Sequence, residues 1–270
     1  MNTRCLLGHQ RMRCALTIGS LILIGAVVLG EAAGGEKAKR DAKEAAKMVE
    51  AIANRNKPPK IVSRRRVCPT ELPLFPKEYD WKEEERVRKA LDKLHQDKSV
   101  ELWEAMVQKA NDRRYCVASY SGSSSDVYID SVGGICSGLA YGRLCEVFEQ
   151  HLPSLPPHGC PIQFWNVRED MPAWRKARKD KSLYQLQIEV CDMALRELPK
   201  IRADDISDKE KVEARKKIEA EIAKLRRTKR PVFRETGSRY TPAYPRKEAK
   251  RVREAIEKGT LEEFRSGLNK

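Results

Sequence analysis

The side chains best able to do chemistry gather between positions 133 and 160. Cys145, His151, His158 and Cys160 are ligand types that zinc accepts. Structural zinc sites draw them from tight pairs such as C-x-x-C or H-x-x-x-H. His158-Gly159-Cys160 places two ligand types in one loop, but no such pair accompanies it, so no metal site is expected. Cys160 and His158 also offer a nucleophile and a base. Adjacent loop residues seldom point at each other, however, and no third group is placed to orient them. Gly133-Gly134-x-x-x-Gly138 stands where a strand should give way to a helix, a position whose free amides can hold phosphate. It lacks both the dinucleotide spacing and the lysine of a P-loop, and packing at a helix start is the better reading. Gly138-x-x-x-Gly142 reads as small residues against a neighbour. Ser119–Ser125 reads as a solvated turn. Trp81, Trp103, Trp165 and Trp174 are too far apart in sequence for a stacking platform and suit packing. No catalytic residue, cofactor or small-molecule ligand emerges from these patterns.

Cysteine usage depends on compartment. Cys5 and Cys14 lie in an N-terminal segment, leaving Cys68, Cys116, Cys136, Cys145, Cys160 and Cys191. An even number in an exported chain suggests disulfides. The alternative is a set of small buried apolar side chains. If Cys136 and Cys145 share a helix, nine residues set them roughly 13 Å apart on opposite faces. That is beyond disulfide reach, so they cannot pair with each other.

The compartment follows from the first 34 residues. Arg4, Arg11 and Arg13 precede an uncharged run from Cys14 to Gly30, and small residues follow at Ala32, Ala33 and Gly34. A basic start, an apolar middle and a small-residue exit describe a secretory signal. The run also approaches the roughly 20 residues of a membrane span, so retention as an anchor stays open. Met12 is an alternative start that leaves the apolar run intact. Residues 1–33 are therefore expected to form a signal peptide or an N-terminal membrane anchor.

A net charge of +15 over 270 residues favours polyanions. Outside the inner membrane these are anionic lipid or wall polymer; inside the cell they would be nucleic acid, which an export segment disfavours. Most basic runs interleave with Glu and read as solvated helix faces. Two lack close acidic neighbours: Arg64-Arg65-Arg66, and Arg226, Arg227, Lys229 and Arg230. These seven are the candidate polyanion contacts.

The elements that position these residues can be read from periodicity. Asp80 should cap a helix with Glu83 in capping-box register, followed by a Val87, Leu91 and Leu94 stripe. Ser99 should open another through Leu102, Trp103, Met106 and Val107. Arg114–Tyr120 and Val127–Ile129 read as a β-hairpin, with Tyr115, Val117 and Ser119 on one face. A third helix should run from Gly133-Gly134 to Leu152, and Ser182–Leu198 is amphipathic. Glu36–Asn56 reads as a charged helix with little to bury, and the Pro-rich stretches at 57–60 and 68–76 as linker and extended chain. A long charged helix is expected over Ser207–Thr228, with a thin stripe of Val212, Ile218, Ile222 and Leu225, and a last one over Glu248–Lys258. The expected fold class is α+β, mostly α. Its small helix–hairpin–helix core at 79–198 is flanked by a charged helix and linker at 34–78 and a charged helical arm at 199–270.

Trp103 to Cys136 also carries a resemblance. Asn111-Asp112-Arg113-Arg114-Tyr115-Cys116, a Ser/Gly-rich hairpin and Ser131-Val132-Gly133-Gly134-Ile135-Cys136 are similar to exported planctomycete proteins of unknown function. That family shows an Asp-x-Arg-Tyr strand followed by a Ser-Val-Gly-x-x-Cys helix start. Gly134 departs from it, standing where an acidic residue is expected. The resemblance implies export and the helix–hairpin–helix core, and nothing about chemistry.

The function these readings lead to is an exported, non-enzymatic interaction or structural protein that contacts anionic envelope surfaces. An exported hydrolase and a basic nucleic-acid-binding protein are the alternatives. The export reading has a direct consequence. N-terminal sequencing of protein made in a host with a general secretion pathway should find Ala33, or a residue within two of it. A soluble cytoplasmic product beginning at Met1 or Met12 would refute it.

Overall fold

Short polar side chains open most of the helices, and Asp80, Ser99, Ser182 and Ser207 do so at the positions expected from the sequence. The computed structural model describes residues 41–62, 72–120, 127–153, 160–233 and 244–260. In chain order the elements are α1 (Ala42–Glu50), β1 (Lys60–Val62), β2 (Leu72–Leu74), α2 (Trp81–Gln96), α3 (Val100–Gln108), β3 (Tyr115–Tyr120) and β4 (Val127–Ser131). There follow α4 (Val132–Glu149), α5 (Trp165–Glu169), α6 (Met171–Lys176), α7 (Leu183–Glu197), α8 (Asp208–Thr228) and α9 (Arg246–Glu257). Asp41, Asp80, Ser99 and Ser131 cap α1, α2, α3 and α4, each side-chain oxygen accepting from an amide two or three residues on. Such caps typically stabilise a helix by about 1 kcal/mol. The class is α+β and mostly α, with two small antiparallel sheets, β1–β2 and β3–β4. The export segment, Arg64–Arg66, Cys68, Ser121–Ser125 and His158 lie outside the described residues. Among the described residues no helix is long and apolar enough to cross a membrane.

Two details differ from the sequence reading. Glu83 does not close a capping box on Asp80. It accepts instead from the Arg55 amide at 3.1 Å and from the Arg86 guanidinium. Arg86 in turn donates to the carbonyls of Ala51 and Ala53 at the end of α1. The local cap has been exchanged for a clasp between helices. Likewise the Pro-rich stretches are not free linker throughout, because β1 pairs with β2 from Lys60↔Leu74 to Val62↔Leu72. Phe75 just beyond is buried.

The main buried cluster draws on α1 to α8. Ala45, Val49 and Ile52 at one end of the chain and Ala214, Ile218, Ile222 and Leu225 near the other enter it. The charged helices flanking 79–198 are therefore packed onto that core through narrow apolar stripes. Val212, expected in the α8 stripe, is 53% exposed, and Ala214 takes the inward position. The Trp103 indole N–H, fully buried, donates to the Ala140 carbonyl at 3.0 Å and joins α3 to α4.

β3 separates this cluster from a smaller one. Tyr115 pairs with Ser131 and Val117 with Asp130, so Cys116 is an extra residue, a bulge. Alternation is interrupted there. Tyr115 and Ala118 enter a second cluster with Phe75, Tyr79, Val127, Tyr244 and Ala249, while Cys116 and Val117 enter the main one. The single face expected for Tyr115 and Val117 is thus divided between two cores.

At the seam lies Glu84, 4% exposed. Its carboxylate accepts from the Tyr79 hydroxyl at 2.5 Å and from Asn54 Nδ2 at 2.9 Å. Tyr79 and Tyr115 share a hydroxyl–hydroxyl bond of 2.9 Å. Asn54 also donates its side chain to the Cys116 carbonyl and its backbone amide to the Tyr115 carbonyl. Burial pushes the Glu84 carboxyl above the usual range, and the bonds from Tyr79 and Asn54 pull it partly back.

The glycines of α4 have separate roles. A Cβ at Gly133 would meet the Ala110 carbonyl at 2.6 Å and the Asp112 backbone at 2.7 and 2.8 Å. Gly133 is thus required by close approach of the 110–112 turn, whose Asp112 carbonyl accepts the Gly133 amide at 2.7 Å. Gly138 and Gly142 face nothing within 4 Å, so neither mediates the helix contact expected of them. Gly133→Ala should destabilise the protein by about 2–4 kcal/mol, whereas Gly138→Ala should stabilise it by about 0.5–1 kcal/mol. Urea unfolding of the two variants checks the contrast, and equal midpoints would refute it.

Candidate anion-binding surface

The charge on α8 is arranged in two parts. Ser207 and Glu210 close a reciprocal capping box at its start, the Ser207 amide donating to Glu210 at 2.9 Å and the Glu210 amide to Ser207 Oγ at 3.3 Å. Along the helix as far as Lys224, four of the lysines and arginines have partners within three or four residues: Lys211–Asp208, Lys217–Glu213, Arg215–Glu219 and Lys224–Glu221. Lys209 and Lys216 are exposed and have no ion pair among the described residues. Glu221 is the last carboxylate of the helix. Beyond it Arg226, Arg227, Lys229 and Arg230 are exposed, and none has an ion-pair partner among the described residues.

Backbone geometry fixes where this basic end points. Lys229 ends the helix in the left-handed region at φ 53°, its amide donating to the Leu225 carbonyl at 2.9 Å. Pro231 cannot continue a helix, and it biases Arg230 towards extended backbone. Val232 is then held by Gln187 of α7, which is fully buried. Val232 N–H donates to Gln187 Oε1 at 2.9 Å, and Gln187 Nε2 donates to the Val232 carbonyl at 2.7 Å and the Arg143 carbonyl at 3.0 Å. The cations therefore lie between a helix packed on α7 and a latched strand of backbone. The other predicted contacts, Arg64, Arg65 and Arg66, lie outside the described residues, so nothing brings the two basic runs together here.

The described cysteines carry no activated thiol. Cys116, Cys136, Cys145, Cys160 and Cys191 are free thiols, with no bridge among them. Four of the five are buried, in line with the reading as small apolar side chains. Cys136 and Cys145 share α4, and both are buried because this helix is covered on opposite faces. Burial pushes the Cys136 and Cys191 thiols up to about 12 and that of Cys160 to about 11, and raises Cys116 and Cys145 strongly. Cys160 donates weakly to the Ile162 carbonyl at 3.4 Å. A protonated thiol is a poor nucleophile and a poor metal ligand. His151 approaches Glu221 at 3.9 Å and Gln150 at 3.3 Å. Among the described residues no group of three or more His, Cys, Asp or Glu side chains is placed to hold a metal.

The start of α4 is equally occupied. The Val132 amide donates to the Arg114 carbonyl, Gly133 to Asp112 and Gly134 to Ser131 Oγ. These amides are taken by protein acceptors and not left for phosphate. Arg114 bonds both Asp112 and Glu50 of α1. This guanidinium holds each carboxyl down to about 2. Both Arg114 and Glu50 are about half exposed, so solvent screening keeps the contribution small.

Sequence reading missed Gln187 and Glu84, yet each carries a signal. Gln187 is four residues after Leu183 and three before Val190, and Glu84 three before Val87. Both are polar residues in the register of an apolar stripe. Comparison of the chain with protein-family models, curated proteins and solved structures finds no match.

Gln187→Leu would strand the Val232 amide and carbonyl together and remove the latch from Val232 to the Arg143 carbonyl of α4. The expected cost is about 2–4 kcal/mol, from unpaired polar groups in a site that excludes water. Denaturant unfolding checks this, and a loss below about 0.5 kcal/mol, the scale of an ordinary surface change, would contradict it.

Proposed function

We propose that this is an exported, non-enzymatic interaction protein that meets anionic envelope surfaces through the basic end of α8. The observation that carries the reading is the run of four exposed cations, Arg226, Arg227, Lys229 and Arg230, with no ion-pair partner among the described residues. Cations near a helix C-terminus also complement the backbone dipole, typically by 0.3–1 kcal/mol. That accounts for Arg226 and Arg227 in the last turn. It does not account for Lys229 and Arg230, which continue the charge past the cap. The raised thiol pKa values favour this reading over an exported hydrolase built on cysteine.

The recognition is that of clustered phosphate or carboxylate groups, as anionic lipids and wall polymers present them. Each basic residue close to an anionic membrane contributes about 1 kcal/mol, and the attraction decays within a Debye length. Wild-type protein should co-sediment with vesicles containing anionic lipid, and the affinity should fall steeply as salt rises. Replacing Arg226, Arg227, Lys229 and Arg230 together with Gln should weaken binding by about 100-fold or more at low salt. Its unfolding midpoint should stay close to that of wild type. Undiminished binding by that variant would sink the proposal for this surface.

A further inference from the structure

A second recognition feature lies between the segment leading into α5 and the end of α7. It is a groove of ≈ 940 Å³. That volume lies within the roughly 300–1,000 Å³ typical of sites for small organic ligands. Its walls differ in character. One side is apolar, with Ile162 and Phe164 almost fully buried and Met193 and Ile201 partly so. Trp165 stands at the rim, 55% exposed, with the Arg168 guanidinium 5.7 Å from its ring centroid. An indole left this far in water at the mouth of an apolar groove has surface to gain by covering.

The opposite side is charged. Arg196, Lys200 and Arg202 line it against Glu197 and Asp205. Lys200 is paired with Glu197 at 2.8 Å, and Arg202 with Asp204 at 3.1 Å. Arg196 is exposed and has no ion-pair partner among the described residues. The groove thus joins an apolar wall and an aromatic rim to an uncommitted guanidinium, a planar fork suited to carboxylate, sulfonate or phosphate.

The geometry points to a binding site for an anionic amphiphile, a small molecule with an acyl or aromatic body and one acidic head group. The body lies along Phe164, Met193 and the Trp165 rim, and the head group pairs with Arg196. Nothing in this assignment depends on the basic end of α8.

The test is a fluorescence titration of the full chain with 1-anilinonaphthalene-8-sulfonate, an anionic aromatic probe. Saturable binding of one equivalent is expected, displaced by laurate and not by the uncharged dodecanol. Arg196→Gln should weaken binding about tenfold, the loss of one charge-assisted contact. Asp205→Asn, which removes a nearby negative charge, should strengthen it. Both residues are exposed, so the fold is retained, and an unchanged unfolding midpoint verifies that. The variant with Arg226, Arg227, Lys229 and Arg230 replaced by Gln should bind the probe as wild type does, which separates the groove from the α8 surface. Displacement by dodecanol as effective as by laurate would overturn the assignment. So would indifference to Arg196→Gln, or loss of probe binding in the α8 variant.

Discussion

Glu84 has left water for the seam between two apolar clusters, and a carboxyl group can remain there only if it is hydrogen-bonded. Tyr79 and Asn54 both donate to its Oε2, and each is fixed by a further obligation: Tyr79 to Tyr115, and Asn54 to the carbonyls of Tyr115 and Cys116. The end of α1, the first turn of α2 and the start of β3 are thereby held in one arrangement. Loss of any member leaves a polar atom in a place that excludes water. The aromatic cluster of Phe75, Tyr79, Trp81 and Tyr244 is assembled on this base, with ring centroids 4.8–6.0 Å apart. Because α9 packs on β2 and its Arg253 donates to the Phe75 carbonyl, the last described helix rests on the same seam.

Local chemistry was easy to read in this chain, and long-range chemistry was not. Caps at Asp80, Ser99 and Ser207 follow from one residue and its near neighbours, and the helices begin where those residues stand. The Gly133-Gly134 pair points one residue too far along, since α4 begins at Val132 behind a Ser131 cap. The hairpin likewise follows from β-formers on either side of a Ser/Gly turn. Glu83 illustrates the limit. Its spacing from Asp80 suits a capping box, but Arg55, twenty-eight residues earlier, offers a competing donor that sequence separation conceals. The α5 and α6 segments leave no periodic trace, because five- and six-residue helices carry too few turns for periodicity to register. Of the candidate contacts, the basic end of α8 was legible as cations without nearby acids. The groove at Trp165 was not, since its walls come from segments some thirty residues apart.

The distribution of ion pairs along the surface bears on how the net positive charge is used. Over most of α8, and at Arg178, Lys181 and Glu189, opposite charges are close and neutralise one another. Exposed pairs of this kind contribute little to stability, but they cancel the field at a distance. Where pairing stops, as at Arg226–Arg230, where four cations follow closely in sequence, and at Arg196, the positive charge is left uncancelled. Net charge summed over the whole chain understates how uneven that field is.

The bulge at Cys116 gives β3 a parity. In a regular strand an odd step always crosses the sheet, so Tyr115 and Ala118 would face opposite ways. The inserted residue lets them face the same way, and two separate cores are served by a single six-residue strand. Counting along β3 is consequently not interchangeable with length. Deleting Cys116 would restore regular pleating and still leave Tyr115 and Ala118 on one side with Val117 on the other. Deleting a single residue beyond the bulge would instead invert the destinations of those that follow, presenting a side chain sized for one core to the other. The bulge is thus the place where this strand can lose one residue without losing phase, a constraint on insertion and deletion that no individual contact imposes.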